Sequence, residues 1–154
     1  MMAIVRRLMR LDWRSRTLLA EAAAAHTAIV VLLRVWPNAR VVGWRKPAAG
    51  PERRALQERV AWAVRTVAAR TPGSSCLTAA LTADLLLKGH GCDSVLSFGV
   101  ARPTDASHAL VFHAWIECGG RVIIGGETIA RYRALESCSA TAARIANSTA
   151  LAGK

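Results

Sequence analysis

The feature that most constrains the fold is a change of hydrophobic period at Thr71-Pro72-Gly73. Before it, Leu18, Leu19, Ala22, His26, Ile29, Val30 and Leu33 recur at three- and four-residue steps, the spacing of one helical face. Asp12 or Ser15 caps this helix, and Pro37 ends it, because a residue preceding proline is disfavoured in the helical region. Residues 37–51 hold three prolines and two glycines and read as a connection. Pro51 suits the first turn of a second helix with the stripe Leu56, Val60, Ala63, Val64 and Val67. Past the break, Ser74 or Ser75 caps a third helix that runs through Lys88 and closes on a left-handed Gly89. The pattern then alternates by twos: a strand over 95–101, a turn at 102–105, and a strand over 110–117. Gly119-Gly120 makes the hairpin and 121–124 the returning strand. Residues 131–154 read as a tail, helical at first and frayed at its end. Helices followed by a helix and a small antiparallel sheet make the chain α+β.

At 154 residues, 53% hydrophobic and 20% charged, the chain forms one domain with a real core and is not disordered. It divides into a basic helical region (1–72), a helix-plus-sheet unit (73–130) and the tail (131–154). Four cysteines are too few for a disulfide-stapled secreted scaffold. Arg6, Arg7 and Arg10 interrupt the start, and no export signal is visible. Glu21, His26 and Arg34 break the longest apolar stretch, 17–36, and argue against a transmembrane segment. These readings place the protein in the cytoplasm with reduced thiols. The net charge of +11 is uneven: residues 1–72 carry 14 Lys or Arg against 4 Asp or Glu, and 73–154 carry 7 against 6. Such a half could attract an anionic partner, or it could be a solvated arginine-rich surface.

The chemistry centres on Cys76 and His113. A sulfur nucleophile acts as the thiolate, and the first turn of a helix favours negative charge through its unpaired N–H groups and dipole. Ser74-Ser75-Cys76-Leu77 puts Cys76 in such a turn, with Leu77, Ala80, Leu81 and Leu85 as the anchoring stripe. Strand alternation puts His113, Trp115 and Glu117 on one face and Phe112, Ala114 and Ile116 on the other. A histidine among core strand positions needs a partner, which suits a Cys–His pair. His108, five residues earlier, points to the opposite face and is the weaker base. Taken singly, a cysteine like Cys76 is more often a small buried hydrophobe and a histidine like His113 more often structural.

Together the blocks Ser74-Ser75-Cys76-Leu77-Thr78-Ala79-Ala80-Leu81, Gly91, Phe98-Gly99-Val100 and Phe112-His113-Ala114-Trp115-Ile116-Glu117 resemble the leader peptidases of lasso-peptide biosynthesis. These are stand-alone transglutaminase-like cysteine proteases. Weaker similarity reaches Leu19-Ala20-Glu21-Ala22 and Val35-Trp36-Pro37, so the resemblance spans roughly residues 15–130. It implies a papain/transglutaminase-like fold, with Cys76 attacking the bond between leader and core and His113 as base, and no cofactor. Trp115 and Glu117 would contact substrate. The implied partners are the lasso precursor peptide, a small PqqD-like leader-binding protein and an asparagine-synthetase-like cyclase, with no nucleic acid. The family carries an acid about twelve residues after the histidine; that position is Gly125 here. The nearest acid is Glu127, and a bulge or three-residue turn would bring it to the histidine's face as orienter. Glu117 shares that face but lies roughly 13 Å along the strand. A backbone carbonyl or a water is the alternative.

No two of Cys76, Cys92, Cys118 and Cys138 have zinc-ligand spacing, so no metal site is expected. Trp13, Trp36, Trp44 and Trp62 read most simply as helix-packing residues, with a partner surface as the alternative. Gly125-Gly126 reads as a tight backbone turn and not a phosphate loop. Three readings remain: leader peptidase, another acyl-transfer enzyme on the same pair, or a basic interaction module with a vestigial site.

Overall fold

The computed structural model describes residues 11–35, 54–101 and 110–135. Three helices come first: α1 (Trp13–Val35), α2 (Arg54–Ala68) and α3 (Cys76–Gly89). Four strands follow, β1 (Val95–Ala101), β2 (Val111–Cys118), β3 (Arg121–Ile124) and β4 (Arg133–Ala134), with a 3-10 turn at Gly126–Arg131 between the last two. The sheet is antiparallel in the order β3-β2-β1-β4. This is an α+β arrangement, helices packed on a small antiparallel sheet.

Each helix buries the stripe its period requires. Leu18, Ala22, His26, Ile29 and Val30 are buried on α1, Val60, Ala63 and Val64 on α2, and Ala80, Ala83 and Leu87 on α3. They form one core with Leu96, Ala114, Ile116 and Cys118 of the sheet. Burying side chains of this size stabilises by about 1.5–3 kcal/mol each for the larger ones, enough to fix helix positions. Asp12 begins α1: its carbonyl accepts from the N–H of Ser15 and of Arg16 at 3.1 Å each. Its carboxyl is held below the ordinary range, chiefly by the hydrogen bond with the Ser15 side chain.

Several expectations need correction. The left-handed residue after α3 is Gly91 (φ 73°), since His90 continues the turn and Gly89 lies inside the helix. Leu85 is 48% exposed and anchors nothing. Trp13 and Trp62 are exposed and do not pack helices; Trp36 and Trp44 lie outside the described residues. The start of the expected tail helix is instead the end of the 3-10 turn and β4, which pairs with Gly99 and Val100. The rest of that tail, Pro51 and the 102–105 turn lie outside the described residues. Helix α1 is long and apolar enough to cross a membrane by length and composition, but one face is packed into the domain core.

His26 contributes more than an apolar stripe position. It is fully buried, with Nδ1 2.9 Å from Thr82 Oγ1 and Nε2 3.0 Å from Ser74 Oγ. The Thr82 hydroxyl donates to the Thr78 carbonyl at 2.7 Å, so it accepts from His26 Nδ1–H. In the neutral ring Nε2 then accepts from Ser74. Burial lowers the His26 pKa from 6.5, which keeps that neutral form. The unfolded chain takes a proton here near pH 6.5, before the native state does. Stability from this group is therefore complete above that pH and is lost as pH falls toward the native pKa. Thermal melts should show the wild type losing more stability between pH 7.5 and 5 than His26→Asn; parallel losses would contradict the assignment.

Candidate active site

Cys76 is the first residue of α3, and the sequence just before it dictates why. Ser75, extended at φ −138° and ψ 170°, is the N-cap; its hydroxyl accepts from Thr78 N–H at 3.2 Å, and Thr78 Oγ1 accepts from Ser75 N–H at 2.8 Å. This reciprocal capping box stabilises the helix start by about 1 kcal/mol and fixes its first turn. Gly73 (φ 78°) makes the preceding bend, and a side chain there would meet the Arg34 guanidinium. At 100° per residue, Cys76 shares its face with Ala80, Ala83 and Leu87, all fully buried, so the thiol sits at the half-buried end of the core-facing stripe. Cys92 and Cys118 are buried. Burial, with help from Cys92 and nearby acids, pushes the Cys118 thiol up to about 11, so it stays protonated at neutral pH.

His113 lies on β2 opposite Gly99 of β1. A short connection turns the chain from α3 into β1, and a 14-residue helix and a 7-residue strand both span roughly 20 Å. Gly99 and His113 lie two positions from the Ala101–Val111 end of that strand pair. His113 Nε2 is 2.8 Å from the Gly125 carbonyl oxygen. A carbonyl only accepts, so Nε2 carries the proton, and a neutral ring keeps its lone pair on Nδ1. Tyr132 stacks on the imidazole with centroids 4.8 Å apart, and Trp115 lies beyond at 6.2 Å. Trp115 is itself pinned by an Nε1–H bond of 2.6 Å to Glu117 Oε1.

Side chains 113, 115 and 117 share the face away from Ala114 and Ile116, which pack into the helical core. Among the described residues Cys76 and His113 form no hydrogen bond to each other. Trp115, 3% exposed, offers substrate almost no surface, and Glu117 is engaged by it. Both support His113 from behind, which corrects the expectation that they contact substrate.

The expected role of Glu127 is also corrected. The foreseen bulge is present: Glu117 pairs with Val122 but Ile116 with Ile124, so Ile123 is the extra residue, its carbonyl accepting from Arg65 Nη2 at 2.8 Å. Extending that register would set residue 127 opposite His113. The strand ends at Ile124 instead, and Gly125 (φ 80°) turns the chain into the 3-10 segment. Glu127 is exposed in its first turn, and the imidazole is held by the Gly125 carbonyl. Glu127→Gln should therefore change turnover less than about twofold, as exposed substitutions away from contacts do; a loss beyond tenfold in a steady-state assay would contradict this.

Sequence reading missed Tyr132, the chain's single tyrosine. The signal available was one aromatic beyond the returning strand, too weak without the 3-10 turn that carries it back to β2. Among the described residues no three His, Cys, Asp or Glu side chains gather as a metal site. No curated protein and no solved structure matches the chain significantly. A family model described as the transglutaminase-like superfamily matches residues 22–137, from the helix bearing His26 through the Cys76 and His113 elements to β4. The chain belongs to the transglutaminase-like superfamily.

Proposed function

We propose that this protein is a cytoplasmic cysteine peptidase that removes the leader from a lasso-type precursor peptide, delivered by a small leader-binding protein and followed by an asparagine-synthetase-like cyclase. The observation that carries it is the His113 tautomer: Nε2–H is committed to Gly125, which leaves Nδ1 free to act as a base, while Cys76 begins a capped helix. His113 Nδ1 takes the Cys76 proton, and the sulfur attacks the carbonyl of the leader's last residue. The imidazolium then protonates the departing amine of the core as the C–N bond breaks, leaving a thioester that water hydrolyses. Ser75 already satisfies Thr78 N–H and, through its carbonyl, Ala79 N–H. The N–H groups of Cys76 and Leu77, without a partner among the described residues, are the first-turn donors for the oxyanion.

The test is incubation of purified chain, leader-binding protein and precursor, read by mass. The expected result is two fragments meeting at the leader–core junction; intact precursor with folded proteins present would overturn the reading. Glycine at 125, where the family has its acid, favours a second reading, a basic non-catalytic module. That module would bind its partner with affinity falling steeply with salt and indifferent to Cys76.

A further inference from the structure

We infer that His26 is a positioning residue for Cys76, acting through Ser74 and Thr82; the inference rests on Cys76 being the nucleophile. Its imidazole bridges two points on either side of the first turn of α3. One is the Ser74 hydroxyl, two residues before Cys76, at 3.0 Å; the other is the Thr82 hydroxyl, six residues into the helix from Cys76, at 2.9 Å. The chain of donors has one direction: Ser74 O–H to Nε2, Nδ1–H to Thr82 Oγ1, and Thr82 O–H to the Thr78 carbonyl. Thr78 is also the partner of the cap residue Ser75. His26 is thus continuous with the hydrogen bonds that orient the first-turn N–H groups.

At 100° per residue, Thr78 and Thr82 fall about 160° and 120° around the helix from Cys76 by the shorter way. Helix α1 therefore meets α3 on a face other than the one that carries the sulfur. No charged side chain hydrogen-bonds this imidazole: both of its nitrogens end on hydroxyls. A purely apolar residue at position 26 would fill the space but leave the buried Thr82 hydroxyl and the half-buried Ser74 hydroxyl each one partner short, and the turn at 73–75 free to shift. A displacement of about 1 Å at a nucleophile costs on the order of a hundredfold in rate.

The experiment compares Ser74→Ala, Thr82→Val, His26→Ala and His26→Gln with wild type, Cys76→Ala serving as the control. Three readouts are taken: the rate of Cys76 alkylation by iodoacetamide, mapped by mass; kcat and KM for precursor cleavage; and the thermal melt. Ser74→Ala and Thr82→Val should stay folded, with alkylation and kcat each falling about tenfold and KM within twofold. His26→Gln, whose amide can serve both hydroxyls, should recover part of what His26→Ala loses. Wild-type alkylation and kcat in folded Ser74→Ala and Thr82→Val would overturn the inference. Cleavage by Cys76→Ala would instead overturn the peptidase reading, while the alkylation rates would still decide the role of His26.

Discussion

Replacing Cys76 with alanine will reduce precursor cleavage by about 10⁴- to 10⁶-fold, the range seen when a covalent nucleophile is removed, while the thermal midpoint moves by only a few degrees. The asymmetry follows from where the residue sits. Cys76 is half-buried at the end of α3, and the cap that starts the helix is built from Ser75 and Thr78, so alanine keeps every hydrogen bond of the turn. Alanine is also the best helix former, and little cavity opens at a site that already touches solvent. Chemistry loses its only attacking atom. The other described thiols cannot replace it, being buried in the core, with Cys118 held protonated. Steady-state cleavage beside a melt reads both halves, and cleavage within tenfold of wild type would be the contrary result.

The second large effect runs against family analogy. Gly125→Asp installs an acid where the family has one, yet activity will fall by about a hundredfold, as a 1 Å misplacement at a reacting centre does. A Cβ at position 125 would lie 2.8 Å from the Ala114 carbonyl oxygen, 3.0 Å from Trp115 Cβ and 3.2 Å from His113 Nε2. The first two neighbours are backbone and the root of a buried side chain, neither of which gives way. The φ of 80° adds about 1–2 kcal/mol for a residue with a side chain. Overpacking adds about 1–3 kcal/mol, so the midpoint should fall by roughly 5–15 °C. To relieve the contact the chain at 125 must withdraw, taking its carbonyl from the imidazole. Here the backbone has taken the position of the acid, and only glycine permits that approach. An activity equal to or above wild type would show that the carboxylate is accommodated after all.

Much of this was legible in the sequence because period and capping are local. The β1 span, the Gly119-Gly120 turn and the Ser75 cap follow from short-range chemistry, and the structure has each of them. What failed depended on distant partners. Whether β3 would reach residue 127 was set by Gly125 turning away and by Arg65, 58 residues from Ile123, holding the bulge carbonyl. Trp115 was expected to contact substrate, but alternation gives a face and not its surroundings: the side chain is 3% exposed and its Nε1–H is bonded to Glu117. His26 fitted its helical stripe so well that its hydrogen bonds to α3 left no trace in the pattern. Two-residue β4 has no alternation to read.

The central claim is that His113 takes the proton from Cys76. The most direct measurement is the second-order rate of Cys76 alkylation by iodoacetamide near pH 6, mapped by mass, in wild type and in folded His113→Ala. A base beside the thiol makes it the better nucleophile, and losing that base should slow alkylation at least tenfold. Equal rates in the two proteins would contradict the pairing.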